Sequence, residues 1–170
     1  MSLSPVLTHT GLLAFQAAKA GGAPVVLTTI ALGSAARLPS GTEEALVTPI
    51  VSGAITSHTL NPVNGQLDVG VLIDGEAAGV FGSHVIHEAG VFDQDGRLIF
   101  YWASPDSFGS ITPVTAYALN VVIVMAQADA AVVQIIDQGP PWDAIIDQKL
   151  NALAKTSRDS AFRNLFLAQS

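Results

Sequence analysis

The sequence predicts an α+β fold: a mainly antiparallel, β-sandwich-like domain with an N-terminal helix, followed by a C-terminal helical segment. Three observations carry this. Ser83–Trp102 reads as a β-hairpin, two arms rich in Val, Ile, Phe, Tyr and Trp around Asp93-Gln94-Asp95-Gly96. Such side chains suit a pleated, half-buried surface, and Asp-Gly tolerates the positive φ of a tight turn. Short β-branched runs punctuated by Gly and Asn-Gly fill most of residues 25–136. Beyond Pro141 the apolar spacing changes from two to three and four.

Taken in order, Leu7-Thr8-His9-Thr10-Gly11 opens a helix running to about Ala20, with Thr8 or Thr10 as the cap and Gly21-Gly22 as the stop. Val25–Leu32 reads as a strand, since Val25, Val26, Thr28, Thr29 and Ile30 are β-branched. Ser40–Glu44 suits a short helical turn capped by Thr42, which also accounts for the adjacent acids Glu43 and Glu44. Ile50–Leu60 reads as one strand. Asn61–Gly65 is a turn, and in Gln66–Asp74 the residues Leu67, Val69, Val71 and Ile73 share one face. After the hairpin come a polar loop from Ser104 to about Ser110, a long strand or bent strand pair over Ile111–Met125, and a short strand over Ala131–Ile136.

Trp142, Ile146, Leu150, Leu153, Ser157, Ala161 and Leu165 recur at helical spacing. A lone helix of this length is marginal in water, so its stripe needs a covering surface: the same domain, or a copy of the chain in a dimeric or trimeric bundle. Trp142, Ile146, Leu150, Leu153, Phe162, Leu165 and Phe166 are the interface residues this suggests. Charge shifts at the same place. Residues 1–142 hold 3 basic against 11 acidic residues, while the remainder holds 4 against 3. The shift, beside Gly139-Pro140-Pro141, sets the expected boundary between a domain over 1–138 and a helical oligomerisation or docking segment over 139–170.

Composition bounds the chemistry. A chain of 170 residues, 49% apolar and 12% charged, can build a sizeable core unaided. It has no cysteine, which removes disulfides and zinc–thiolate sites. A net charge of −7 argues against binding a nucleic-acid backbone. The longest apolar run, Ala116–Ala128, is too short and too polar to span a bilayer as a helix. No cofactor fingerprint, phosphate loop or nucleophile elbow is present. His84 and His87 would point to opposite sides of a strand, so no shared metal is expected. Asp93–Gly96 starts like a calcium loop, yet Arg97 and Leu98 stand where further ligands belong. Glu88, the one charge inside an apolar strand, needs Arg97 or backbone N–H groups as a partner if buried, and a structural hydrogen bond is the expected role.

Three blocks resemble the N-terminal domain of phage tail-collar fibre proteins: Leu7–Leu12 with the Ala-rich helix after it, Leu27–Gly33, and Ile86–Ile99. The last is the most specific. It carries Glu88, Gly90, Phe92, Asp93 and Gly96 in the pattern Glu-x-Gly-hydrophobic-Phe-Asp-x-x-Gly. The chain departs from the pattern at Ser34, where an acidic residue is expected after the glycine. The resemblance implies a structural virion component rather than an enzyme, without cofactor, made in the bacterial host cytoplasm. It would attach or form the base of the tail fibre at the baseplate, as an adaptor in host attachment. The implied partners are its own copies as a homotrimer, baseplate or tail proteins, and a separate fibre chain, since little after Ile136 could form a shaft; otherwise the chain leads a longer product. Two rival classes stand beside it. A carbohydrate- or receptor-binding module needs an exposed aromatic patch, for which Tyr101, Trp102 and Tyr117 are the candidates. A polysaccharide hydrolase needs a carboxylate pair, with Glu88 as one member.

Overall fold

The computed structural model describes residues 5–61, 63–125 and 131–136. The chain divides into two compact units, Met1–Gly139 and Pro140–Ser170, and the described residues all belong to the first. In order, its elements are β1 (Val6–Leu7), α1 (His9–Lys19), β2 (Val25–Gly33), β3 (Pro49–Ala54), β4 (Ser57–Asn61), β5 (Gln66–Asp74), β6 (His84–Ile86), β7 (Glu88–Asp93), β8 (Leu98–Ala103), β9 (Gly109–Ile111), β10 (Ala116–Val124) and β11 (Val133–Ile135).

This corrects the α+β expectation. Among the described residues strands make up 48% and helix 9%, so they form a mainly antiparallel β fold with one short helix near the N-terminus, and no C-terminal helical segment is shown among them. The residues expected to form that segment, including Trp142, Ile146, Leu150, Leu153, Phe162, Leu165 and Phe166, lie outside the described residues. The helical turn expected at Ser40–Glu44 does not form. The Glu43 carboxylate folds back to accept from the Ser40 and Gly41 backbone N–H groups, at 2.8 and 2.7 Å, in place of a capped helix.

The largest sheet runs β1-β8-β7-β2-β11, and β3 lies beside β2 on the edge that β11 also uses. A three-stranded sheet runs β10-β5-β4, and β6 pairs β9. Among the described residues all pairings are antiparallel except β11 with β2. The single strand expected over Ile50–Leu60 is two strands in two sheets. At the break, the Ile55 N–H donates to Thr28 O of the large sheet, and the Thr56 N–H donates to Gly70 O of the small one, both at 2.9 Å. The chain changes sheets there without a turn. The expected hairpin forms between β7 and β8, with Gly96 at φ 76°. Its first arm is interrupted at His87, and β6 leaves to pair with β9.

One buried cluster joins the two larger sheets. Leu67, Val69, Val71, Ile73, Val121 and Ile123 face Leu27, Ile30, Leu32, Val91, Phe100 and Trp102. Each fully buried side chain of this size contributes about 1.5–3 kcal/mol. A second, smaller cluster of Leu46, Leu98, Tyr101 and Ala103, with Ala31 and Phe92 against it, lies apart from the first. Consequently β8, Leu98–Ala103, is buried at every position.

Helix α1 sits on β8 through Gly11, Ala14, Phe15 and Ala18, with Phe15 and Phe100 rings 6.0 Å apart. The approach is close: a Cβ on Gly11 would lie 2.5 Å from Ile99 O. Thr8 fixes the start. Its hydroxyl accepts from the Gly11 N–H at 2.9 Å and donates to Leu98 O at 2.6 Å. Thr8→Ala removes both bonds at a fully buried site. It is expected to lower stability by about 1–2 kcal/mol, read as a lower urea midpoint; a midpoint equal to the parent's would show that the cap contributes nothing.

Candidate functional site

Between β2 and β3 the chain makes a long connection, residues 34–48, over the second hydrophobic cluster. Connections longer than about 12 residues without regular structure are uncommon in compact domains, and an ordered one needs partners for its backbone polar groups. Here Glu88 is such a partner. It begins β7 and is fully buried. Its Oε1 accepts from the Thr48 N–H at 2.7 Å, and its Oε2 accepts from the Val47 N–H at 3.0 Å and from the Tyr101 hydroxyl at 2.8 Å. Three donors on two oxygens compensate a buried charge that would otherwise cost several kcal/mol. The Tyr101 hydroxyl pKa is raised, first by burial and then by its bond to the Glu88 carboxylate.

Glycine makes room for this arrangement. A Cβ on Gly33, the cross-strand neighbour of Glu88, would lie 2.4 Å from Glu88 Oε1 and 2.6 Å from Thr48 O. Gly90 shares the Glu88 side of β7, and a Cβ there would meet Leu98 Cδ1 at 2.4 Å and Leu46 Cδ1 at 2.8 Å. Leu46, carried by the connection, occupies that space. Phe92 packs at the edge of the same cluster.

A second buried carboxylate shapes the other part of the connection. Glu43 accepts from the Ser40 and Gly41 backbone and the Ser40 hydroxyl, and pairs with Arg37. Burial pushes its pKa up, but the Ser40 bonds, its own N–H and Arg37 outweigh this and bring it to about 2. The Arg37 guanidinium lies over the Tyr101 ring, 5.7 Å from its centre, which links the two carboxylates through one aromatic side chain.

Asp93 closes the hairpin. Its Oδ1 accepts from the Asp95 and Arg97 N–H groups at 3.0 and 2.9 Å, and its Oδ2 from Arg97 Nε at 2.8 Å. Arg97 also reaches Asp95 at 3.0 Å. Arg97 is therefore committed to the turn and is not the partner of Glu88, one of the two possibilities left by the sequence. The backbone alternative is the one adopted, from a loop whose pairing with β7 no local pattern announces. A cavity of about 220 Å³ beside this turn is walled on one side by apolar residues between Ala14 and Val26 and on the other by the turn residues Asp93, Gln94, Asp95 and Arg97, of which Asp93 is the buried carboxylate.

The sequence motif thus maps onto two devices: Glu88 and Gly90 hold the connection, while Asp93 and Gly96 build the turn. The remaining candidates separate. His84 Nε2 bonds Phe81 O at 2.7 Å, and His87 Nδ1 bonds Ser104 O at 3.1 Å. No group of three or more His, Asp or Glu that could hold a metal occurs among the described residues. Tyr101 and Trp102 are buried, and Tyr117 is half-buried with its hydroxyl on Phe108 O at 3.0 Å, so these three present no aromatic platform.

The buried carboxylates Glu88, Glu43 and Asp93 thus all brace the backbone of the domain itself. Residues 1–137 match the family described as phage tail-collar fibre protein, N-terminal. The match spans most of the chain, and the protein belongs to this family of bacteriophage tail structural proteins. No curated protein and no solved structure matches it.

Glu88→Gln tests the clamp with almost no change of shape. Both Glu88 oxygens accept from a backbone N–H, so either orientation of the amide points its NH2 at a donor. The expected loss is about 2–3 kcal/mol of stability, with faster tryptic cleavage after Arg37 in the freed connection. Parent-like stability and cleavage would contradict the assignment.

Proposed function

We propose that this protein is an adaptor of the virion, joining the tail fibre to the baseplate in host attachment, and that it is not an enzyme. The family match over 1–137 supports a tail structural role. The observation that carries the adaptor reading is the use made of the buried carboxylates. Glu88, Glu43 and Asp93 each accept from backbone N–H groups, so charge that could serve reactivity serves rigidity instead. A joint under load benefits from loops that cannot open. Deep burial of Tyr101 and Trp102 removes the aromatic surface on which the carbohydrate-binding alternative depended.

Labelling this chain in assembled particles tests the proposal. The label is expected at the junction of baseplate and fibre, and particles assembled without the chain are expected to keep their tails and lack fibres. Label at the fibre tip alone, or fully fibred particles without the chain, would overturn the adaptor role.

A further inference from the structure

We propose that β10 is a pairing edge: it binds β10 of a second copy of this chain, antiparallel and centred on Asn120. The first support is what the edge presents. Among the described residues β10 pairs along one side only, with β5, through a register unbroken from Ala116↔Asp74 to Val124↔Gln66. The Met125 N–H donates to Gly65 O at 2.8 Å, and the Gly75 N–H donates to Thr115 O at 3.0 Å. Hydrogen-bonded pairs alternate in an antiparallel ladder. The odd-numbered residues of β10 therefore direct their N–H and C=O groups to β5, and Ala116, Ala118, Asn120, Val122 and Val124 direct theirs outward.

The second support is the lack of any guard. Soluble proteins blunt open edges with charge, proline, bulges or brevity. Over its nine residues β10 has no charged residue, no proline and no bulge. Val122 is 45% and Val124 78% exposed. The other edge strands are short or interrupted: β1 has two residues, β11 three, β4 five, and β3 begins with Pro49.

The third support selects a second copy as the occupant. Pairing about Asn120 brings every outward-directed backbone group of one strand opposite its counterpart on the other. It sets Ala116 against Val124 and Ala118 against Val122, small opposite large, and the Asn120 amides against each other. On the inner face Tyr117 meets Ile123 and Leu119 meets Val121. No like charges face each other, and the two β10-β5-β4 sheets become one. The contact is isologous, uses up the edge on both copies and closes. It joins chains in twos, and where copies also associate by threes it links one such group to another.

The protein has no cysteine, so Asn120→Cys gives a single thiol. Only two-fold pairing about residue 120 places that thiol opposite itself, at the ~5.5 Å Cα separation of a hydrogen-bonded pair. A short bis-maleimide is expected to convert N120C into covalent dimers, and the parent is expected to contain an even number of chains at micromolar concentration. Asn120→Lys sets two ammonium groups face to face and is expected to weaken association at least about tenfold. Mixing N120K with N120D chains is expected to restore it, because opposite charges then meet. Asn120 is exposed, and circular dichroism verifies that each variant folds. Absence of N120C dimers, association indifferent to N120K, or a parent that takes up only a strand from another tail protein would overturn the proposal. Its failure would leave the place of the chain in the tail untouched.

Discussion

A carboxylate buried on the wrong side of an apolar strand is the constraint on which this fold turns. Glu88 lies in a run that otherwise reads Ala, Gly, Val and Phe. Left alone, an ionised group there would be intolerable. The connection over 34–48 resolves this by delivering the Val47 and Thr48 N–H groups, and Tyr101 delivers a hydroxyl from the next strand. The dependence is mutual. The carboxylate needs the loop for donors, and the loop needs the carboxylate because its own backbone pairs little with neighbouring strands. Leu46 then covers Gly90 and Leu98, and β8 with most of β7 is buried on both faces. Buried polar groups of this kind trade some stability for a unique arrangement.

Two bulges set how the strands present themselves to the two clusters. In β2 the register with β7 shifts between Leu27 and Thr29, so Val25 and Leu27 face the main cluster before the shift and Ile30 and Leu32 after it. In β8 the shift falls opposite Val91 and Phe92 and leaves Ile99 as the extra residue, after which Phe100 and Trp102 face the main cluster and Tyr101 the smaller one. Beside this bulge the Thr8 N–H, continuing the β1–β8 ladder, donates to Ile99 O and its hydroxyl to Leu98 O, and the helix is seated there. Helix α1 therefore docks beside a local irregularity in the sheet.

Legibility in the sequence follows from these facts. The helix with a cap at Thr8 or Thr10, the strand over Leu67–Ile73 and the Asp93–Gly96 turn were readable because their determinants are local: a cap three residues from its donor, which proves to be Thr8, an unbroken period of two, a glycine with positive φ. The split of Ile50–Leu60 was not, because the signal is a change of hydrogen-bond partner from Thr28 to Gly70, far apart in the chain. Glu43 misled, since acids after Ser-Gly-Thr suit a helix start as well as a folded-back carboxylate. The expected α+β class relied on a helical stripe past Pro141 and gave too much weight to helix, whereas the described residues are about half strand and only 9% helix. For Glu88, the need for a partner was legible from its place in an apolar run, with Arg97 or backbone N–H groups as the alternatives; that the donors are Val47, Thr48 and the Tyr101 hydroxyl was not, because two are backbone groups without a side-chain signature and all are brought in by tertiary contact.

Amide hydrogen exchange at Val47 and Thr48 examines the central claim most directly. If Glu88 holds the connection to the sheet, these two amides exchange as slowly as those of β7 and β8, despite lying outside every strand, and their neighbours Glu44 and Ala45 exchange quickly. Rapid exchange at Val47 and Thr48, indistinguishable from the rest of the connection, would contradict it.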